Sequence, residues 1–236
     1  MFKLWPWLEA NKNRLIGLAV AIVVVAGILY FISEQSQQKE MDAGNALTAL
    51  MLNPGGSGAQ LAASLEQVAD KYAGTMAGQR ARVQAASALF ETGNYADAEA
   101  QFEKYLQDHS SGPFAATAEL GVASSLLAQN KLDAAGAAFQ RVISLYASST
   151  CVGEADLGLA EIAVQQKKYS EAASDFEQAA RASMGTSLAQ EAMMREADLK
   201  TKIAAAAPKA EAQPVPTAFK PSSLVPAITP PLTNHP

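Results

Sequence analysis

A short segment around residues 94–102 returns twice along the chain at a fixed step of 37 residues. Each copy has a large side chain, an alanine and a phenylalanine at the same spacing: Tyr95, Ala98, Phe102; Leu132, Ala135, Phe139; Tyr169, Ala172, Phe176. A polar break precedes each copy, at Gly93-Asn94, Asn130-Lys131 and Lys167-Lys168. Self-similarity at a period of roughly 20 to 50 residues indicates stacked supersecondary units. The repeat therefore constrains the fold more than any other feature of the sequence.

The spacing within each copy predicts a helix with one packed face. Ala98 and Phe102 are four residues apart, so both point from the same side of a helix. A stripe of small residues lies upstream in each copy: Ala81, Ala85, Ala86, Leu89; Ala118, Val122, Ala123, Leu126; Ala155, Leu159, Ala160, Ala163. Two such helices joined by a short polar turn form an antiparallel hairpin. We expect the alanines at contact points and the three phenylalanines buried between helices.

This pattern resembles the tetratricopeptide repeat. The matching positions are the small residue at position eight (Ala86, Ala123, Ala160), the turn near Gly93-Asn94-Tyr95, the alanine at twenty and the aromatic residue at twenty-four. The sequence departs from the family at position four, where a charge replaces the large aromatic residue: Arg82, Glu119, Asp156. The repeat also lacks the terminal proline. The resemblance implies an all-α solenoid of stacked hairpins.

An apolar segment precedes the repeats. Residues 15–32 carry no charge over eighteen positions, which as a helix measures roughly 27 Å and suits a bilayer core. A cleaved signal peptide is the alternative, but no small-x-small cleavage site follows the segment. Three basic residues precede the segment and only Lys39 follows within twenty residues, which favours a cytoplasmic N-terminus. We expect a single-pass protein of a bacterial inner membrane with its repeats in the periplasm.

The chain then divides by composition and period. The expected segments are a cytoplasmic end at 1–14, a transmembrane helix at 15–32, a repeat domain at 33–207 and a disordered Pro/Ala-rich tail at 208–236. Within the repeat domain, the period places units at about 42–78, 79–115, 116–152 and 153–189, with a capping helix at 187–206. Eight of the eleven prolines lie in the tail, where they oppose a packed core. A peptide-docking role for the tail is the alternative.

The sequence offers little for catalysis or for nucleic acid. Cys151 has no second cysteine to pair with, and His109 and His235 lie near no nucleophile with an orienting acid. Residues 33–207 hold 21 acidic and 13 basic side chains, a net charge of −8, which opposes nucleic-acid binding. We therefore expect a non-catalytic protein with no cofactor, no metal and no nucleic-acid partner.

The resemblance implies a protein-binding groove along the first helix of each hairpin. Carried over, its positions two, five, nine and twelve are Arg80, Val83, Ser87, Phe90; Thr117, Leu120, Ser124, Leu127; Glu154, Leu157, Glu161, Val164. Positions five and twelve are apolar in all three units, which predicts a continuous apolar wall. Such a wall needs covering. The occupant is either a segment of a partner or the chain's own helix at 33–52 or 187–206.

The layout of one span followed by periplasmic repeats resembles the membrane-anchored periplasmic family of the YfgM type. That resemblance implies a scaffold that recruits or handles exported proteins or chaperones near the Sec translocon. The alternative is a structural subunit of a fixed envelope assembly, such as a secretion, pilus or division machine. Homo-oligomerisation stays open.

Overall fold

The computed structural model describes residues 4–53 and 55–206, and within these residues the chain forms nine α-helices joined by turns. Their bounds are α1 (Leu4–Leu52), α2 (Gly58–Lys71), α3 (Met76–Glu91), α4 (Tyr95–Asp108), α5 (Ala115–Ala128), α6 (Leu132–Leu145), α7 (Cys151–Gln165), α8 (Tyr169–Ala182) and α9 (Ser187–Ala206). Each helix packs on the next, so the described residues form a solenoid of helical hairpins. The predicted all-α tetratricopeptide-type solenoid is confirmed. The predicted tail at 208–236 lies outside the described residues.

The helices keep the period of the sequence. The second helices α2, α4, α6 and α8 each hold 14 residues and begin 37 residues apart. We name α3–α4 repeat 1, α5–α6 repeat 2 and α7–α8 repeat 3, with α1–α2 as the N-terminal hairpin. Helix α3 begins at Met76, where Thr75 accepts a hydrogen bond from the Gly78 amide (2.9 Å) and caps the helix.

The polar breaks of the sequence form the same turn in each repeat. Gly93, Asn130 and Lys167 all adopt left-handed backbone conformations, with φ of 83°, 59° and 60°. In repeat 1 the Gly93 amide donates to the Phe90 carbonyl (3.0 Å) and the next amide donates to the Leu89 carbonyl (2.9 Å). Repeats 2 and 3 make the equivalent pair of bonds. This paired closure satisfies the last carbonyls of the first helix and reverses the chain.

The core lies between the two layers of helices. Ala98, Ala135 and Ala172 have no exposed surface, and Phe102, Phe139 and Phe176 are at most 3% exposed, as predicted. The ring of Phe102 lies against Gly121 in the next repeat, where an added Cβ would sit 2.4 Å from the ring. The rings of one repeat therefore reach the backbone of the following one, and stacking depends on this close approach.

The charged residues at position four are buried rather than exposed. Arg82 donates to Asp70 (2.7 Å) and to Gln101 (3.1 Å), and Glu119 accepts from Arg141 (2.6 Å). The Arg82 hydrogen bond lowers the pKa of Asp70. Asp156, the third member, has no basic side chain within 4 Å among the described residues. Burial, together with nearby Asp175, raises its pKa to about 6.

The two ends of the solenoid differ in how they are covered. Leu47 of α1 packs with Leu65 of α2 and with α3, and Ala43 is fully buried. Glu40 accepts hydrogen bonds from the Met76 and Ala77 amides at 2.8 and 2.9 Å. Helix α9 packs mainly on α8, in the way that the first helix of a repeat packs on the second helix of the preceding one. Its outer face is polar around Lys200, which suits a terminal position.

Helix α1 continues without interruption from the apolar segment into the N-terminal hairpin. Residues 12–52 of this helix are long and apolar enough to cross a membrane, with a mean hydropathy of 2.9 in the most apolar window. Side chains in that window, such as Val23 and Phe31, are exposed rather than packed against the solenoid. The helix is therefore a candidate span by length and composition.

Candidate protein-binding groove

The first helices of the repeats form the wall where the sequence predicts a groove. Three depressions follow one another along α3, α5, α7 and α9, and neighbouring depressions share wall residues. The depression between repeats 1 and 2 and the depression between repeats 2 and 3 share Phe90, Leu120 and Ser124. The depression between repeats 2 and 3 shares Glu161 with the depression between α7 and α9. The three therefore form one discontinuous groove along the stack.

The central depression has a volume of about 470 Å³ and lies between repeats 2 and 3. Its apolar wall consists of half-buried Phe90, Leu120, Leu127 and Leu157. Its floor is formed by the Phe139 ring, which lies against Gly158; an added Cβ there would sit 2.3 Å from the ring. The absence of a side chain at this glycine is what lets the ring lie against the backbone of α7.

Acidic side chains border the central depression. Glu154 is exposed and Glu161 is half-buried, and both lie on α7 beside Leu157. The Glu161 carboxylate accepts from Arg195 of α9 at 2.6 Å, and Arg195 also pairs with Glu191 at 2.7 Å. Arg195 is thus shared by two carboxylates, while Glu154 has no basic side chain within 4 Å among the described residues. The border carries net negative charge.

The two outer depressions differ in character. The one between repeats 1 and 2 has a volume of about 250 Å³, with Ser87 and Thr117 on its wall and Phe102 and Gly121 on its floor. The one between α7 and α9 has a volume of about 340 Å³, where Val164 and Phe176 meet charged residues of α9. The apolar character of the groove is therefore concentrated in its centre.

The structure brings most of the predicted groove residues together, with two differences. Arg80 is exposed but lies outside the three depressions. Val83 is only 6% exposed and belongs to the core cluster that also contains Ala86 and Ala98. The expected apolar wall is therefore wrong at Val83, because this side chain packs between helices. The remaining members line one or more depressions: Ser87, Phe90, Thr117, Leu120, Ser124, Leu127, Glu154, Leu157, Glu161 and Val164.

Sequence reasoning missed the floor of the groove and its C-terminal wall. Gly121 and Gly158 are 37 residues apart, and each follows the preceding repeat's phenylalanine by 19 residues. That spacing is a signal for a ring placed on a glycine. Leu188 and Arg195 of α9 also line the groove, whereas the sequence predicts this helix as a cap or as an occupant of the groove and not as part of its wall.

The chain's own terminal helices leave the central depression open. Helix α1 packs on α2 and α3, and α9 packs on α8 and α7, so neither lies across α5. Only Leu188, at the start of α9, reaches the edge of the central depression. The interpretation in which helix 33–52 or helix 187–206 fills the groove is therefore wrong for the central depression.

Other reactive side chains lie apart from the groove's centre. Cys151 is buried, with its Sγ 4.0 Å from the Thr117 hydroxyl, and His109 lies beside the Tyr105 ring at 5.3 Å. His235 lies outside the described residues. Among residues 4–53 and 55–206, no group of three His, Cys, Asp or Glu side chains could hold a metal ion.

Comparison with known proteins agrees with the repeat architecture. The sequence model of the tetratricopeptide repeat-like domain matches residues 3–144, more than half of the chain. The chain belongs to the tetratricopeptide repeat-like family. The sequence model of another tetratricopeptide repeat family matches residues 153–199 of the same chain. No curated protein sequence matches it significantly.

Two solved structures are similar to this tetratricopeptide repeat-like protein. One is the MamA RS-1 ArsTM double mutant, which is 15% identical with a TM-score of 0.48; the match covers 70% of this chain and 96% of that one. The other is a Podosopora anserina kinesin light chain protein with nearly identical TPR-like repeats, 14% identical with a TM-score of 0.45; the match covers 72% and 97%. Tetratricopeptide repeats are generally non-catalytic and imply a protein–protein interaction scaffold.

Proposed function

We propose that this protein is a non-catalytic scaffold, anchored in a bacterial inner membrane, whose groove binds apolar segments of exported proteins in the periplasm. The observation that carries the proposal is the central depression of about 470 Å³, which is apolar on its walls and which, among the described residues, neither α1 nor α9 covers. An apolar concavity of this kind favours a partner, because half-buried leucine and phenylalanine side chains gain from being covered.

The border of the depression specifies the chemistry of the occupant. Glu154 and Glu161 stand beside the apolar wall, and Arg195 already serves two carboxylates. A segment with leucine-like side chains and one adjacent Lys or Arg would complement both the apolar wall and the Glu154 carboxylate. Charge complementarity of this type sets register and on-rate more than affinity, so the apolar anchors would supply most of the binding energy.

The anchored, periplasmic setting is supported by the N-terminal segment. Residues 15–32 lie in a single helix, the side chains of residues 16–32 are exposed, and the basic residues Lys12 and Arg14 precede the segment. Positive charge flanks the cytoplasmic end of a span more often than the other end. A role beside the Sec translocon, with exported proteins or periplasmic chaperones, rests on the resemblance in layout to the YfgM-type family.

Crosslinking from inside the groove tests the binding role. A photoreactive amino acid at Leu127 should crosslink many exported proteins in cells, whereas the same residue at exposed Leu145 on α6 should not. A single stoichiometric partner at Leu127 would instead favour a structural subunit of a fixed envelope assembly. Crosslinks only between copies of this protein would favour a homo-oligomer and contradict the client-binding role.

A paired substitution separates binding from folding. Phe90→Ser with Leu127→Ser should abolish the crosslinks while changing the free energy of unfolding little, because both side chains are only half-buried. Leu145→Ser is the matched control, since Leu145 is 65% exposed outside the groove. If the double variant unfolds at a much lower temperature than the control, the wall is part of the core and the proposal fails.

Membrane extraction tests the anchor independently. The protein should remain in the membrane fraction after alkaline extraction, with residues 1–32 intact by mass spectrometry. A soluble protein that starts near residues 33–37 would show that the apolar segment is a cleaved signal peptide.

A further inference from the structure

A crevice lies where helix α1 leaves the proposed span and meets the N-terminal hairpin. Its volume is about 510 Å³. One side is formed by Ile32, Gln35, Ser36 and Lys39 of α1, which share one helix face, and the other side by residues 71–75 at the end of α2 and the following turn. Ile32 is also the last residue of the apolar segment, so the crevice begins where the hydrocarbon core would end.

Two lysines line this crevice, one from α1 and one from the end of α2, and neither has an acidic partner among the described residues. Neither Lys39 nor Lys71 has a carboxylate within 4 Å among the described residues, and Lys71 Nζ lies over the Tyr72 ring at 5.0 Å from its centre. Asp70, next to Lys71, is already paired with Arg82 at 2.7 Å and with Lys104 at 3.2 Å. The crevice therefore holds two uncompensated positive charges.

The position of these charges matches the headgroup layer. Lys39 follows Ile32 by seven residues, which is roughly 10 Å along a helix axis. Side chains of an α-helix lean towards its N-terminus, so the Lys39 ammonium leans back towards the membrane, and lysine stems of this length extend charges to the interface. The polar layer on each side of a bilayer is several ångströms thick, within reach of this side chain.

We propose that this crevice binds the phosphate of an anionic phospholipid headgroup, held between Lys39 and Lys71. This inference rests on the proposed membrane anchor. The Tyr72 ring, half-buried beside the lysines, suits the same interfacial layer, where aromatic side chains with one polar end are favoured. Binding at this place would attach the solenoid to the membrane surface through its second helix as well as through α1.

Native mass spectrometry of the full chain, exposed to equal amounts of phosphatidylglycerol and phosphatidylcholine, tests the proposal. The unmodified protein should retain phosphatidylglycerol in preference. Lys39→Gln with Lys71→Gln should reduce that preference, by roughly fivefold for each lysine removed. The matched control is Lys167→Gln with Lys168→Gln, at the exposed turn of repeat 3, and it should keep the preference. An unchanged preference in the Lys39/Lys71 variant overturns the proposal.

Two further measurements separate the sources of the phosphate and the two proposals. Excess inorganic phosphate should not displace the retained lipid; displacement would make the crevice a site for free phosphate and overturn the lipid assignment. In a flotation experiment, the full chain should float with phosphatidylcholine vesicles. Flotation without phosphatidylglycerol preference contradicts the headgroup site and leaves the anchor standing, whereas failure to float contradicts both.

Discussion

Repeats 1 and 3 share the same backbone geometry but carry different residues at equivalent positions of the repeat. At position four, Arg82 in repeat 1 has two hydrogen-bonding partners, whereas Asp156 in repeat 3 faces the carboxylate of Asp175. At the left-handed turn, Gly93 corresponds to Lys167. The comparison shows that the repeat backbone tolerates residues that its local environment does not favour, because neighbouring repeats hold it in place.

The junctions that follow the two repeats differ as well. The Phe102 ring of repeat 1 lies on Gly121 of the next helix, with no room for a Cβ. The Phe176 ring of repeat 3 is followed at the same spacing by Arg195, so a residue with a side chain takes the place of the glycine. Both rings border a depression of the groove, but the Phe102 ring lies directly on the backbone at Gly121, whereas the Phe176 ring shares its depression with the Arg195 side chain. Four predictions test the comparison of the two repeats.

The largest effect is expected from truncating the enclosed ring. Phe102→Ser should lower the free energy of unfolding by about 3–5 kcal/mol, because the close-packed site cannot collapse around the lost ring. Phe176→Ser should cost less, since the residue at the matching position is Arg195, whose flexible side chain can move into the space that the ring leaves. Chemical denaturation of the two variants gives the difference. Equal losses would show that α9 encloses repeat 3 as fully as α5 encloses repeat 1.

The close approach at the first junction can be tested with a pair of glycines. Gly121→Ala should be less stable than Gly136→Ala by about 1–3 kcal/mol, because an added methyl at Gly121 meets the Phe102 ring and one at Gly136 has its nearest neighbour at 3.9 Å. Both glycines lie inside helices, so the gain in helix propensity from alanine cancels in the comparison. Thermal melts that coincide would mean that the ring moves aside without cost.

The buried charge of repeat 3 predicts a pH dependence. The pKa of Asp156 is raised from 3.8 to about 6, so the folded state prefers the protonated form. The stability from this preference is complete below about pH 3.8 and is lost as the pH rises through about 6. Near pH 7, Asp156→Asn should therefore be more stable than the unmodified protein by on the order of 1–2 kcal/mol.

That advantage should shrink as the pH falls towards about 5, because the unmodified protein then takes up the proton. Asp108→Asn, an exposed substitution at the end of α4, is the control for general charge effects. A stability difference between the Asp156→Asn and unmodified proteins that stays constant from about pH 7 to about pH 5 would show that the carboxylate is not destabilised by burial.

The smallest effect concerns the turn. Lys167→Gly should raise the free energy of unfolding by roughly 0.5–1 kcal/mol, because a left-handed conformation costs a lysine energy that glycine avoids. The reciprocal change in repeat 1, Gly93→Lys, should lower it by a similar amount. Differential scanning calorimetry measures both. If Lys167→Gly is neutral or destabilising, the lysine stem must make contacts that offset the backbone strain.

The local parts of the fold could be predicted from the sequence. The step of 37 residues anticipates the start of every second helix, because the turn and the helix contacts depend on residues within one hairpin. The burial of Phe102, Phe139 and Phe176 follows from the same pattern.

The parts that depend on a neighbouring repeat could not be predicted in the same way. The position of Val83 in the repeat predicts a groove residue, but its side chain packs in the hydrophobic core. The partners of Arg82 and Glu119 lie on other helices, 12 to 22 residues away, so the residues at position four looked like departures from the family rather than buried pairs. The floor of the groove likewise combines a ring from one repeat with a glycine from the next.

The unbroken course of α1 has a mechanical consequence. No flexible linker separates residue 32 from Ala43, where the helix enters the core, and Glu40 fastens it to the amides of α3. The eleven helical steps from residue 32 to Ala43 measure roughly 17 Å. The solenoid cannot swing about a hinge at this point. The groove therefore keeps a fixed distance along the axis of α1 and a fixed direction around it. A rotation of α1 about its own axis would therefore rotate the groove by the same angle around that axis.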